Sequence, residues 1–274
     1  HVDESEWGAL LERAPVDVRV NVARAYREQL LQEFSNGVPT RLSPWGIRLA
    51  PNSRVDDQPA FAQGLVEVQD EGSQLIALAC STADGEHVLD LCAGAGGKSL
   101  ALAAAAPGAA ILATDSNLAR LSRTHPRAER AGARIETRLL NPPNEAQELA
   151  DWRAKADVVL VDAPCSGSGT WRRNPEGRWR LTAQRLDRLV GIQSGLLDLA
   201  AEMVRPGGRL VYAVCSLLTA EGRAQADQFL SRHSSWIAQD PLDHGGRMDG
   251  VGRLLTPAHD QTDGFFVARF VRPC

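Results

Sequence analysis

Long apolar runs are missing from this sequence. No stretch approaches the ~18 apolar residues that a membrane-spanning helix needs, so no membrane role is expected. Paired metal ligands are missing as well. The five cysteines (Cys80, Cys92, Cys165, Cys215 and Cys274) include no C-x-x-C pair, and their odd number speaks against a disulfide framework. The six histidines are scattered, without H-x-x-x-H spacing; no metal is expected, and the compartment reads as reducing and cytoplasmic. The N-terminal stretch HVDESEWGALLERAP lacks a signal-peptide pattern, and it starts with His1 rather than Met, as a fragment or trimmed chain would. Lysine is almost absent. Only Lys98 and Lys155 occur, and the other 28 of the 30 basic residues are arginine, as codon bias in a GC-rich genome would produce. A net charge of -4 speaks against a protein that coats nucleic acid without specificity. One local excess survives that argument: Arg172, Arg173, Arg178, Arg180, Arg185 and Arg188 stand against only Glu176 and Asp187.

What is present is an α/β pattern. At 274 residues and 43% hydrophobic, the chain suits one catalytic domain of about 200 residues with a small appendage. VDVRVNV (16–22) alternates like a strand, and 23–34 carries Tyr26, Leu30, Leu31 and Phe34 at helical spacing. Extended runs follow at 39–43 and 46–50, then a linker or short helix at 52–60 and another alternating strand at 64–69; the small α/β subdomain is expected over 1–65. The catalytic domain is then 66–274. In it HVLDL (87–91), AILAT (110–114), DVVLVD (157–162) and RLVYAV (209–214) read as strands, with helices from about Ser99 and over 117–131. RLLT (253–256) and GFFVARFV (264–271) pair as a C-terminal antiparallel hairpin. This alternation predicts a mostly parallel, doubly wound sheet, and such sheets bind ligands at the carboxyl ends of their strands.

The turn after the first of these strands runs Asp90-Leu91-Cys92-Ala93-Gly94-Ala95-Gly96-Gly97-Lys98-Ser99. Its three glycines let backbone approach a ligand and present amides at a helix start. A phosphate-binding P-loop would need glycine where Cys92 stands, and a dinucleotide loop would need glycine where Ser99 stands. Asp115 ends the next strand, where an acid can accept hydrogen bonds from both ribose hydroxyls of a nucleoside cofactor, or simply cap the following helix. At this point NAD and S-adenosylmethionine both remain open.

The ends of the next two strands carry Val161-Asp162-Ala163-Pro164-Cys165 and Tyr212-Ala213-Val214-Cys215-Ser216. A lone cysteine is most often a small buried hydrophobe. Two at strand ends on the ligand face, one of them in a Pro-Cys turn, point to chemistry. Carbon 5 of cytosine is a weak nucleophile towards a sulfonium methyl group. A thiolate added at carbon 6 turns the ring into an enamine-like species whose carbon 5 can attack, after which a base removes the carbon 5 proton and the thiol leaves. A free thiol ionises only near pH 8.5, so the site must assist it.

At these residues the sequence resembles the RNA cytosine-C5 methyltransferases of the Fmu/Sun/Nop (RsmB-like) family. VQDEGSQLIA (68–77), LDLCAGAGGKS (89–99), VDAPCSGSGTWRRNPEGRW (161–179), RLVYAVCSLLTAEG (209–222) and DGFFVAR (263–269) look like family segments in family order. The resemblance implies a Rossmann-like fold that uses S-adenosylmethionine. It also implies that Cys215 is the nucleophile and Cys165 the partner thiol that helps resolve the adduct. Cys92, Ala93, Gly94, Ala95, Gly96, Gly97, Lys98, Asp115 and Asp162 would surround the cofactor, with Asp162 also near the base. Residues 16–65 would be an RNA-recognition-like subdomain. Three positions depart from the pattern. Gly94-Ala95 stands where many members have Ala-Pro, Val214 replaces a threonine, and Asn141 takes the place of an acidic cofactor contact.

Rival readings are weaker. An amino-group methyltransferase motif at Asn141-Pro142-Pro143-Asn144 lacks its aromatic, and a DNA cytosine methyltransferase lacks its recognition insertion. A binding-only module or an NAD enzyme has no use for both cysteines. RNA contact is expected at Arg172 and Arg173 and on towards Arg188, with Trp171 and Trp179 available either to stack on bases or to fill the core. The target base must be flipped or single-stranded. Small-subunit ribosomal RNA is the expected substrate, tRNA the alternative, and a monomer the expected state.

Overall fold

The alternating residues that open the N-terminal region become the central strand of its sheet. In the computed structural model, which describes residues 4–274, β1 (Val16–Val20), β2 (Val38–Pro39), β3 (Gly46–Leu49) and β4 (Val66–Val68) form an antiparallel sheet ordered β2-β3-β1-β4. Val18 and Val20 bury one face of β1 against Leu30, Phe34, Ile47 and Val66. Neighbouring residues must point the other way, and that face is also covered. There Asp17 accepts from Nε and Nη2 of Arg48, both at 2.8 Å, and from the backbone N–H of Glu71 at 3.0 Å.

The strands β5 (His87–Asp90), β6 (Ala110–Asp115) and β7 (Glu136–Leu139) pair in parallel in that order. The helix after β5, Gly97–Ala105, starts two residues earlier than expected, because Gly96 takes a left-handed φ of 78° and turns the chain there. The helix expected over 117–131 is instead two, Leu118–Leu121 and Thr124–Ala131. Pro126 accounts for the break: it has no N–H for the Ser122 carbonyl, and its ring crowds that carbonyl. These seven strands belong to one compact unit, residues 15–148, so the boundary expected at 65/66 lies within it.

The second unit comprises residues 149–274 with the described residues of 1–14. Here β8 (Ala156–Asp162) pairs in parallel with β9 (Val204–Val214), joined by the long helix Ala183–Met203, whose first turn Thr182 caps. Then follow β10 (Ile237–Gln239), β11 (Arg247–Asp249), β12 (Gly252–Leu255) and β13 (Phe265–Val271). The expected C-terminal hairpin is the antiparallel β12–β13 pair, and β13 also runs antiparallel to β9 and β10. The helix Glu4–Leu11 joins this unit rather than the N-terminal sheet. Its Glu6, 1% exposed, accepts from the backbone N–H of Ala258 at 3.0 Å. No helix among the described residues is long and apolar enough to cross a membrane.

Candidate active site

The glycine turn after β5 is fixed by hydrogen bonds to its backbone. Ala93 N–H donates to the Thr114 carbonyl at 2.8 Å, and Gly94 N–H donates to Asp115 Oδ2 at 2.8 Å. The other Asp115 oxygen accepts from Asn117 N–H at 2.7 Å, and Asn117, not Asp115, caps the following helix. Below the turn, Ser99 Oγ donates to Asp90 Oδ2 at 2.6 Å, while Arg127 Nη1 donates to the Ala95 carbonyl at 2.5 Å. Two glycines are required by geometry. Gly94 has a φ of 58°, and a Cβ there would stand 2.3 Å from Arg120 Nη2; a Cβ on Gly96 would stand 2.6 Å from Thr124 Cγ2. Gly97 meets nothing closer than 3.9 Å. Cys92, Ala93, Ala95, Gly97 and Lys98 are half-buried, and Asp115 is 7% exposed. The donor set fits a nucleoside: a bare cradle, helix-start amides at Gly97 and Lys98, and a carboxylate whose oxygens each keep a second lone pair.

Asn141, just beyond β7, is exposed. Its backbone N–H and its Nδ2 each donate to the Glu148 carboxylate at 2.8 Å, and these bonds pull the Glu148 pKa below its ordinary value. Its amide nitrogen is therefore engaged, leaving Oδ1 as the group that could meet an adenine amine.

In the second unit the two cysteines come together. Parallel pairing sets Asp162 beside Ala213, so the turns leaving β8 and β9 emerge side by side. Cys165 Sγ lies 3.2 Å from Cys215 Sγ, and both residues are half-buried. The hydrogen bond to Cys215, followed by burial, pushes the Cys165 thiol pKa well above its ordinary value. Asp162 is half-buried at the end of β8.

Glu221, a residue to which no role was assigned from the sequence, holds both turns. Fully buried, it accepts from Ser166 N–H (2.8 Å) and Gln193 Nε2 (3.1 Å) on one oxygen, and from the Ser166 (2.5 Å) and Ser216 (2.6 Å) hydroxyls on the other. Gln193 also donates to the Pro164 carbonyl at 2.9 Å, and Ser168 Oγ accepts from Leu217 N–H at 2.9 Å. The backbone closes the assembly: Gly169 N–H donates to the Cys215 carbonyl at 3.1 Å, and Gly264 N–H to the Gly169 carbonyl at 2.8 Å. A Cβ on Gly169 would stand 2.0 Å from the Gly264 carbonyl oxygen. The only sequence clue to Glu221 was a lone acid six residues past Cys215 in an otherwise uncharged stretch.

The arginine segment divides in two. Arg172 Nε donates to Asp263 Oδ1 at 2.6 Å and Arg173 Nε to Oδ2 at 2.5 Å, but the side chains differ in exposure, 7% against 31%. Arg172 is thus a buried ion pair, whereas Arg173, Arg178, Arg180, Arg185 and Arg188 face solvent. Trp179 is 78% exposed with the Arg178 guanidinium 5.0 Å from its ring centre, while Trp171 is half-buried.

Parallel strands alternating with helices, a glycine turn after β5 and an acid at the end of β6 define an α/β, Rossmann-like methyltransferase fold. A family model described as 16S rRNA methyltransferase RsmB/F matches residues 77–271, and the chain belongs to that family. Ribosomal RNA small subunit methyltransferase B of Xylella fastidiosa (strain 9a5c) is 37% identical over 275 residues, covering 98% of this chain and 64% of that protein. The crystal structure of PH0851 superposes with a TM-score of 0.91 at 29% identity, covering 97% of this chain and 62% of that one. A methyltransferase homolog protein from Pyrococcus horikoshii gives 0.82 at 25% identity, over 98% and 90% of the two chains. The chain spans less than two thirds of the length of the curated relatives it matches.

Proposed function

We propose that this chain methylates carbon 5 of a cytosine in small-subunit ribosomal RNA, with Cys215 as covalent nucleophile. The observation that carries the reading is the 3.2 Å contact between Cys165 and Cys215. Either thiol can donate across this contact, but Cys165, whose pKa is raised, is the one that holds its proton, as suits a partner thiol rather than the attacking atom. Cys215 adds to carbon 6 of the flipped base, and the electron pair displaced to carbon 5 makes that carbon nucleophilic. S-adenosylmethionine, when bound, supplies an electrophilic methyl group. Cys92 to Lys98 and Asp115 hold it through backbone amides and carboxylate lone pairs, with Asn141 and Asp162 as further contacts. After transfer a base takes the carbon 5 proton, and the carbon 6–sulfur bond breaks, returning the electron pair to Cys215. Cys165 assists this release. Arg173, the exposed arginines from 178 to 188 and Trp179 contact RNA by charge and stacking, and the four-stranded sheet of 16–68 serves as an RNA-recognition-like subdomain.

The test is a denaturing gel with labelled small-subunit ribosomal RNA, S-adenosylmethionine and four proteins. Cys215→Ala should neither methylate nor cross-link. Cys165→Ala should accumulate an RNA-linked species, which the double variant loses. An adduct in Cys215→Ala and none in Cys165→Ala would reverse the roles of the two thiols.

A further inference from the structure

A second set of charged side chains, none of them assigned a part in methyl transfer, gathers on the N-terminal sheet and the strands and helices packed with it. Arg19, on β1, is 2% exposed, yet only its Nε is used, donating to Gln69 Oε1 at 2.6 Å. Neither terminal nitrogen has a hydrogen-bond partner among the described residues. The nearest carboxylate, Glu67, is already divided between Arg127 Nη2 at 3.0 Å and Arg130 Nη2. Burial lowers the Arg19 pKa to about 10, an effect that Glu67 opposes and Arg127 reinforces. A guanidinium so deeply buried without its own anion is costly.

Arg19 borders a cavity of about 260 Å³, far above the roughly 10–15 Å³ that one water requires. Arg24 and Arg134 border it too, and Glu67 is the only acid among the described residues of its wall. Arg24 Nη1 spends its donors on the Gln63 and Arg130 carbonyls at 2.9 and 3.1 Å, and among the described residues no carboxylate pairs with it. Arg134 is exposed at the rim and has no ion pair among the described residues. The floor is apolar, formed by Leu100, Ala103, Ala104 and Pro107, which weakens screening of any charge inside.

We propose that this cavity is a phosphate-binding site in which Arg19 grips an oxyanion through its two terminal nitrogens while Arg24 and Arg134 add charge. The planar fork of arginine matches phosphate oxygens in pairs, and the cavity offers three cations to one already committed carboxylate. The phosphate has two possible sources, an RNA phosphodiester or free phosphate, and the first rests on the reading that this chain acts on RNA.

Phosphorus NMR of inorganic phosphate, with and without the protein at constant ionic strength in chloride, is the direct test. The phosphate line should broaden with the wild-type chain. Arg134→Ala, a surface change that leaves the packing alone, should weaken binding several-fold, and Arg19→Lys, which keeps the charge but loses the fork, should weaken it at least tenfold. No broadening, or equal broadening by Arg19→Lys while circular dichroism shows it folded, would overturn the proposal. A short single-stranded oligoribonucleotide forms the second arm. Loss of about one unit in its salt slope with Arg134→Ala identifies the RNA backbone as the source; an unchanged slope beside a weakened phosphate signal identifies free phosphate. Neither arm uses S-adenosylmethionine or the cysteines, so failure here is separable from failure of the methylation reading.

Discussion

The turns after β5 and β8 both leave the carboxyl ends of parallel strands, but they are held by different means. The glycine turn is a backbone structure, fastened by main-chain amides to Thr114 and Asp115 and made possible by two glycines in left-handed backbone conformation, Gly94 and Gly96. The cysteine turn is a side-chain structure in which one carboxylate, Glu221, collects four donors from three residues. A backbone-held turn should tolerate changes in its exposed side chains and fail when a glycine or its anchor changes. A side-chain-held turn concentrates its dependence on the residue at the hub.

Replacing Glu221 offers the harshest way to sharpen this contrast. Glu221→Ala leaves buried donors of Ser166, Ser216 and Gln193 unpaired, and at about 1–3 kcal/mol per unpaired group the loss should reach roughly 3–5 kcal/mol even after the serines re-pair with each other. Urea unfolding measures it; a change below about 0.5 kcal/mol, the range of an ordinary surface substitution, would remove Glu221 from the centre of the assembly.

Asp115→Ala should cost less and act on binding. It frees the Gly94 and Asn117 amides and removes a carboxylate from the proposed cofactor cradle, so S-adenosylmethionine affinity should fall by about 1–3 kcal/mol. Calorimetry against S-adenosylmethionine, NAD and ATP checks both the size and the choice of ligand. Tighter binding of either nucleotide would break the assignment of this turn.

The smallest effect concerns proton affinity. Because contact with Cys215 and burial raise the Cys165 pKa, its thiolate is scarce at neutral pH, and its alkylation should reach half-maximal rate above the pH of about 8.5 typical of a free thiol. Cys215→Ala removes the largest cause, so the alkylation profile of Cys165 should move to lower pH. Mass-resolved iodoacetamide labelling across pH follows this. An unmoved or upward-moving profile would mean that Cys215 is not what holds the proton on Cys165.

Much of this contrast was legible in the sequence, and unevenly so. A backbone-held turn announces itself through glycines, and strand ends at Asp115 and Asp162 follow from short apolar runs closed by an acid. The cysteines were placed at the same end of their strands for the same reason. The hub was not legible, because a hydrogen-bond network joining Ser166, Gln193, Ser216 and Glu221 has no period along the chain. Arg172 shows the limit from the other side. Counted along the chain it belongs to a basic patch, but its partner Asp263 lies 91 residues away and takes it into the interior. Arg19 is similar: alternation reveals that β1 has two faces, not that both are covered.

The close approach of Gly169 and Gly264 restricts which sequences this architecture can accept. Each occupies the volume that the other's side chain would need, so neither position offers a neutral single step to alanine. Random libraries selected for a folded chain should therefore return glycine at both positions, while tolerating variety at Gly191 and Gly195, where an added methyl group meets only open space.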